Sequence, residues 1–114
     1  MPYISVNVTG ALTDTQKDEI KRGLGEKIAV IPGKSEKALM IDISDRHTIY
    51  MAGEKLDQTA YLDVKIYGHT DLDAKRAFTE AAFAVVSKAT GIPADGMYLN
   101  FSEYENWGTR GTMK

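Results

Sequence analysis

No cysteine occurs in the 114 residues. That absence excludes disulfides, thiol redox chemistry, a cysteine nucleophile and cysteine metal ligands. Histidine occurs twice, and neither copy has a second histidine at ligand spacing. His47 and His69 therefore read as surface residues, with no metal site implied. No apolar run approaches the roughly 18 residues that a membrane span needs. The first residues lack the basic-then-apolar layout of a secretory signal. Together these absences point to a cytoplasmic protein that engages no membrane. An excess of positive charge is missing too, since 14 basic against 16 acidic residues leave a net charge of −2. That argues against nucleic-acid binding through bulk charge, which needs a basic face. What is present is ordinary for a folded protein, with 43% hydrophobic and 26% charged residues. The length fits one domain, residues 1–114, whose core is small. Few residues are left to wall off a pocket, so a closed active site calls for help from another subunit.

The chain repeats itself at an offset of 58 positions. Tyr3, Ile4, Val6 and Val8 fall on Tyr61, Leu62, Val64 and Ile66. Ile20, Leu24 and Ile28 fall on Phe78, Ala82 and Val86, and Gly33 falls on Gly91. Leu39, Ile41 and Ile43 fall on Met97, Leu99 and Phe101, and Gly53 falls on Gly111. Two copies are too few for a solenoid, so the pattern reads as one duplicated supersecondary unit.

Each copy opens with period-two alternation, the mark of a strand with one buried face. A helix follows. Thr13 and Gln16 stand at the spacing of a capping box, and Ile20, Leu24 and Ile28 then form an apolar stripe. Gly23 and Gly25 weaken this first helix by about 1 kcal/mol each relative to alanine. The second helix starts near Asp71 to Asp73 and ends at Gly91, with Pro93 blocking continuation. A second alternating strand closes each copy, Leu39 to Ile43 and Met97 to Phe101. Strand, crossover helix and strand imply a parallel pair with a right-handed crossover. Two such units predict an α+β fold, a four-stranded mixed sheet with both helices on one face and short edge strands besides.

The alternation also sorts the two sheet faces. Residues such as Ile4, Val6, Leu62, Val64 and Leu99 face the helices. The other face carries Tyr3, Ser5, Asn7, Met40, Asp42, Tyr61, Asp63, Lys65, Tyr67, Tyr98 and Asn100. Tyrosine there suits a wet sheet surface, and it equally suits a subunit interface. The short segments Thr48 to Met51 and Asn106 to Arg110 favour the interface, because such stubs can pair with a neighbour's edge.

Several residues have chemistry to offer. Removal of an initiator methionine before Pro2 would leave a secondary amine at the chain start. An amine held among apolar side chains near another cation loses its proton more easily, which suits a general base. Proline also simply suits the start of a strand. Lys34 follows Gly33 after the first helix. A lysine there complements the helix C-terminus, and it can also clamp a carboxylate and depress the Pro2 amine. Tyr98 and Asn100 are two apart on a strand, so both project from one face as hydrogen-bonding groups that could orient a carbonyl. Trp107, the single tryptophan, is either a packing anchor or an aromatic wall for a planar substrate. Gly91 to Gly96 is a turn, without the glycine-lysine-serine or threonine ending of a phosphate loop.

Taken in order, Met1-Pro2 opening a strand, Gly33-Lys34, Met97-Tyr98-Leu99-Asn100 and Asn106-Trp107-Gly108 resemble the macrophage migration inhibitory factor branch of the tautomerase superfamily. The resemblance covers essentially the whole chain. It implies a homotrimer of β-α-β-β-α-β subunits, their sheets around a central channel and their helices outside. It further implies keto-enol tautomerisation of phenylpyruvate-like α-keto acids, with no cofactor. Pro2 would be the base and acid, and Lys34 would bind the substrate carboxylate or carbonyl. Tyr98 and Asn100 would line the pocket, Tyr98 reaching it from the neighbouring subunit. A backbone amide would come from Ile66 or Tyr67.

The sequence also departs from the cytokine members. Thr59-Ala60-Tyr61-Leu62 stands where they carry a Cys-x-x-Cys segment, Ala38 or a neighbour stands where they place an aromatic residue, and their C-terminal phenylalanine is replaced near Met113. The thiol-oxidoreductase activity attributed to those members does not carry over, and the pocket rim is less aromatic. Two other readings follow from the same resemblance, a cytokine mimic that binds a host receptor and a ligand-binding trimer without catalysis. Members of the branch can leave cells without a signal peptide, so secretion by such a route stands beside the cytoplasmic location.

Overall fold

The computed structural model describes residues 1–114. In the first copy, β1 (Pro2–Val8) leads to α1 (Asp14–Lys27) and β2 (Met40–Ser44). A hairpin of β3 (Ile49–Met51) and β4 (Glu54–Leu56) follows. The second copy repeats the plan with β5 (Ala60–Tyr67), α2 (Leu72–Thr90) and β6 (Met97–Tyr104), then a hairpin of β7 (Gly108–Thr109) and β8 (Thr112–Met113). The main sheet has the order β2-β1-β5-β6. Each β-α-β unit supplies one parallel pair, and the units meet through antiparallel β1 and β5. No helix is long and apolar enough to cross a membrane.

The duplication and the strand register are the same fact seen twice. Ser5 and Asp63 are 58 positions apart, and they also stand directly opposite each other across β1 and β5. A local pseudo-twofold axis therefore passes between them. It relates Ile4 opposite Ile41 to Leu62 opposite Leu99. It relates the left-handed glycines Gly10, Gly33 and Gly53 to Gly68, Gly91 and Gly111.

The helices form where their caps and stripes predict. Thr13 Oγ1 accepts from the Gln16 amide at 3.1 Å, and Gln16 Oε1 accepts from the Thr13 amide at 2.8 Å. Two of the orphan donors at the start of α1 are thereby satisfied. Asp71 caps α2 through the Ala74 amide at 2.7 Å, and Gly91 ends it in the left-handed conformation. Ile20, Leu24 and Ile28 meet Phe78, Ala82 and Val86 over the apolar face of β1 and β5, all shut off from solvent. Each large side chain buried this way contributes about 1.5–3 kcal/mol.

The two glycines of α1 are explained by packing rather than by propensity. A Cβ on Gly23 would come within 2.5 Å of Val85 Cγ1, and one on Gly25 would run into the Glu36 side chain. Their absence of side chain is what lets α1 lie close to α2 and to the turn at Glu36–Ala38. Two strands differ in extent from the alternation pattern, and two short segments differ in pairing. β2 starts at Met40 rather than Leu39. β6 runs on to Tyr104, because β5 continues beside it as far as Tyr67. The segments Ile49–Met51 and Gly108–Thr109 each pair inside their own chain, with Glu54–Leu56 and Thr112–Met113. Those partner segments have no apolar alternation of their own, so the sequence pattern does not reveal them.

Candidate active site

Pro2 is buried at the start of β1, opposite Ile66. Ile66 is itself opposite Glu103, so this end of the sheet gathers the beginning of β1 with the ends of β5 and β6. The loop after α1 brings Lys34 to the same place. Its ammonium donates to the Tyr67 carbonyl at 2.8 Å. The Tyr67 amide donates to the Met1 carbonyl at 3.2 Å. Burial holds the α-amine of Met1 below its ordinary value, and the neighbouring Lys34 cation lowers it further. Both effects disfavour the charged form of an amine. The chain start thus lies where an amine gives up its proton readily.

Beside Pro2 opens a cleft of about 740 Å³. Met1, Pro2, Tyr3, Ala38 and Met40 line it together with Trp107 and residues of the β7–β8 hairpin. Trp107 is half-buried and stacks edge-on against Tyr104, with ring centres 6.0 Å apart. Backbone bonds between Trp107 and Lys114 at 2.9 and 3.3 Å close the hairpin. Lys37, Lys65, Arg110 and Lys114 also reach the cleft, and no aspartate or glutamate does. Lys65 is already engaged, 2.9 Å from Asp63 Oδ2.

The residues singled out by sequence are distributed unevenly. Pro2 and Trp107 share the cleft, whereas Lys34 is not among its walls and is instead tied to Tyr67 next to the Met1 α-amine. Ile66 has a fully buried side chain, so only its backbone can take part. Tyr98 and Asn100 are elsewhere in this chain. Along β6 they lie five and three residues from Glu103, the register partner of Ile66, or about 17 and 10 Å at 3.3 Å per residue. Tyr98 instead lines a second cleft of about 300 Å³ with Asn7, Ile49, Tyr50 and Tyr61. Ala38 lines the Pro2 cleft, and Met113 is exposed. His47 is half-buried, with Nε2 2.8 Å from Ser44 Oγ, rather than free on the surface. Sequence reasoning did not single out the Tyr67 carbonyl, nor Lys37, Arg110 and Lys114 as walls. The carbonyl has no sequence signal, and the cations are brought together only by the fold.

The model of the family described as macrophage migration inhibitory factor (MIF) matches residues 1–113. No curated protein matches the chain closely enough in sequence. Among solved structures, Leishmania major MIF2 is 25% identical with a TM-score of 0.91, covering 100% of this chain and 97% of that one. The MIF-like protein of Entamoeba histolytica is 18% identical with a TM-score of 0.85, covering 99% and 98%. A fused 4-OT described as a symmetric trimer is 16% identical with a TM-score of 0.81, covering 90% and 85%. The duplicated fold, the buried Pro2 at its mouth and the match over residues 1–113 lead to one conclusion: the chain belongs to the macrophage migration inhibitory factor family, within the tautomerase superfamily.

Proposed function

We propose that the protein is a cofactor-independent keto-enol tautomerase for phenylpyruvate-like α-keto acids, with Pro2 as its base and acid once Met1 has been removed. The observation that carries this reading is the environment of the chain start. Pro2 is buried beside a cleft, Lys34 lies close to the Met1 α-amine that precedes it, and that amine is held below its ordinary value. Excision of Met1 would turn the Pro2 nitrogen from a tertiary amide into a secondary amine. It would also take away the Met1 carbonyl that now occupies the Tyr67 amide. Of the two amides that the resemblance names, Tyr67 is the donor this reading favours, because its present partner would leave with Met1.

In this mechanism the Lys34 ammonium, which has donors to spare beyond the Tyr67 carbonyl, attracts the substrate carboxylate. The Pro2 nitrogen removes a proton from the carbon next to the keto group. The electron pair moves to the carbonyl oxygen, and Pro2, now protonated, acts as acid and gives its proton to that oxygen to form the enol. The reverse path delivers the proton from Pro2 to carbon. A positioned acid-base group contributes about 10²–10⁴-fold, and fixed donors add electrostatic stabilisation.

We further infer a homotrimer, in which a neighbour brings Tyr98 and Asn100 to the Pro2 cleft. Support comes from the sheet face away from the helices, where Met40 and Tyr98 are 66% and 63% exposed, and from the trimeric 4-OT fold neighbour. The test is phenylpyruvate tautomerisation by protein whose Met1 removal is verified by intact mass. Pro2→Gly is expected to lose about 100-fold or more. Unchanged turnover in that variant would refute the mechanism. A fully retained Met1 in the native organism would favour a trimer that binds without catalysis.

A further inference from the structure

The duplicated fold contains its own comparison for the Pro2 cleft. Under the 58-residue offset, Pro2, Tyr3, Ala38, Met40 and Trp107 become Ala60, Tyr61, Gly96, Tyr98 and Ile49, and all five of these line the second cleft. The two clefts are thus pseudo-symmetric mates with similar walls. They differ in charge. The second cleft has no lysine, arginine, aspartate or glutamate among its walls. The first has Lys37, Lys65, Arg110 and Lys114, and their offset counterparts are Asp95, Asn7, Ala52 and Leu56. In a chain of net charge −2, this cleft is a concentrated positive site.

Arg110 is the most telling of the four. It occupies the first central position of the β7–β8 turn at φ 52, and Gly111 follows at φ 80. The β3–β4 turn is built alike, with Ala52 at φ 54 and Gly53 at φ 79. This turn favours glycine, asparagine or aspartate at both positions. Alanine in the mate turn and arginine in this one both go against that preference, so the choice between them is not made by the backbone. The hairpin without the Pro2 cleft uses alanine at the mate position, so the turn itself does not require a cation. Lys37 reaches the same cleft from the turn Glu36–Ala38, next to Ala38. Lys37 and Arg110 thus come to one cleft from segments far apart in sequence.

We propose that the cleft takes a 2-oxo acid carrying a second anionic group, with the reacting end at Pro2 and Lys34 and the second anion held by Arg110 and Lys37. This rests on the keto-acid reading above and narrows its substrate class. Lys65 contributes less, since Asp63 already neutralises it. The matched probes are phenylpyruvate and 4-carboxyphenylpyruvate, which differ by one carboxylate on the ring. With Met1 removed, the ratio of kcat/KM is expected to favour the carboxylated compound by about fivefold or more and to fall as salt is added. Arg110→Asn, which suits the left-handed turn, should bring the ratio toward one. Arg110→Lys should keep most of it. A ratio at or below one in the unaltered protein, or one that survives Arg110→Asn, overturns the inference. If neither compound is turned over, the tautomerase reading fails separately. Calorimetric binding of the two compounds then decides the second-anion site, with tighter binding of the carboxylated probe supporting it and equal binding refuting it.

Discussion

The Lys34 ammonium donates to the Tyr67 carbonyl at 2.8 Å, fastening the loop after α1 to the last residue of β5. The same Tyr67 gives its amide to the Met1 carbonyl. One residue therefore couples the cation of the site to the chain start. Lys34 has two effects there, since it fixes the loop and its charge disfavours protonation of the neighbouring amine.

Lys34→Met should remove both effects. With Met1 excised, kcat/KM for phenylpyruvate is expected to fall about 10- to 100-fold, the scale of a lost charge-assisted contact. The acid limb of the pH–rate profile should move to higher pH, because Lys34, which lowers the Met1 α-amine, would no longer oppose protonation of the Pro2 amine that takes its place. A rate loss without movement of that limb would assign Lys34 to substrate binding alone.

Tyr98 lies about 17 Å along β6 from the rung of Pro2, too far to serve the same chain's cleft. Mixing an inactive Pro2→Gly protein with an inactive Tyr98→Ala protein, and letting subunits exchange, should therefore restore turnover. At equal amounts about a quarter of the sites regain both groups if each site is shared between adjacent subunits. Recovery is read by the phenylpyruvate assay before and after exchange. No recovery would mean that Pro2 and Tyr98 serve one site within one chain, and a Tyr98→Ala protein that is active on its own would show that Tyr98 has no part in it.

Glu103 ties β6 to the loop before α2. Its carboxylate accepts from Lys75 Nζ and from the Thr70 amide, both at 2.8 Å. The Lys75 bond foremost, then the Thr70 amide, holds the carboxyl below its ordinary value of 4.5. A depressed carboxylate stabilises the fold above that ordinary value, and the contribution is lost as pH falls below it. Glu103→Gln should cost about 1 kcal/mol near neutrality, given the partly solvated pair, and flatten the acid side of the Tm-versus-pH curve. An unchanged acid slope would show that other carboxylates carry it.

Gly23→Ala tests whether packing outweighs helix propensity. Propensity alone gives a gain of about 1 kcal/mol. The new methyl would meet Val85, a stiff β-branched side chain, at 2.5 Å. Overpacking of this kind costs about 1–3 kcal/mol, so the variant should be net destabilised with a lower Tm. A higher Tm would show that α1 and α2 can part without loss.

Much of the fold was legible because its signals are local and periodic. Alternation at Ile4, Val6 and Val8, the Thr13–Gln16 box and the Gly91 stop each depend on neighbours a few positions away. The 58-residue offset carried more, since it holds within the β1–β5 register at Ser5 and Asp63. The short strands Glu54–Leu56 and Thr112–Met113 were not legible, because their pairing relies on two-residue turns and not on a buried face.

By itself, then, the sequence determined the two β-α-β units, the sheet face that is buried and the residue types available for chemistry. Only the tertiary structure decided which of them meet. It set Pro2 beside Tyr67 and Lys34, carried Tyr98 and Asn100 away along β6, and brought Lys37 and Arg110 to one cleft from segments far apart in sequence. The physical reason is that periodicity fixes the direction of a side chain relative to its own element. Proximity across elements depends on register, helix approach and turn geometry, which arise only when the whole chain packs.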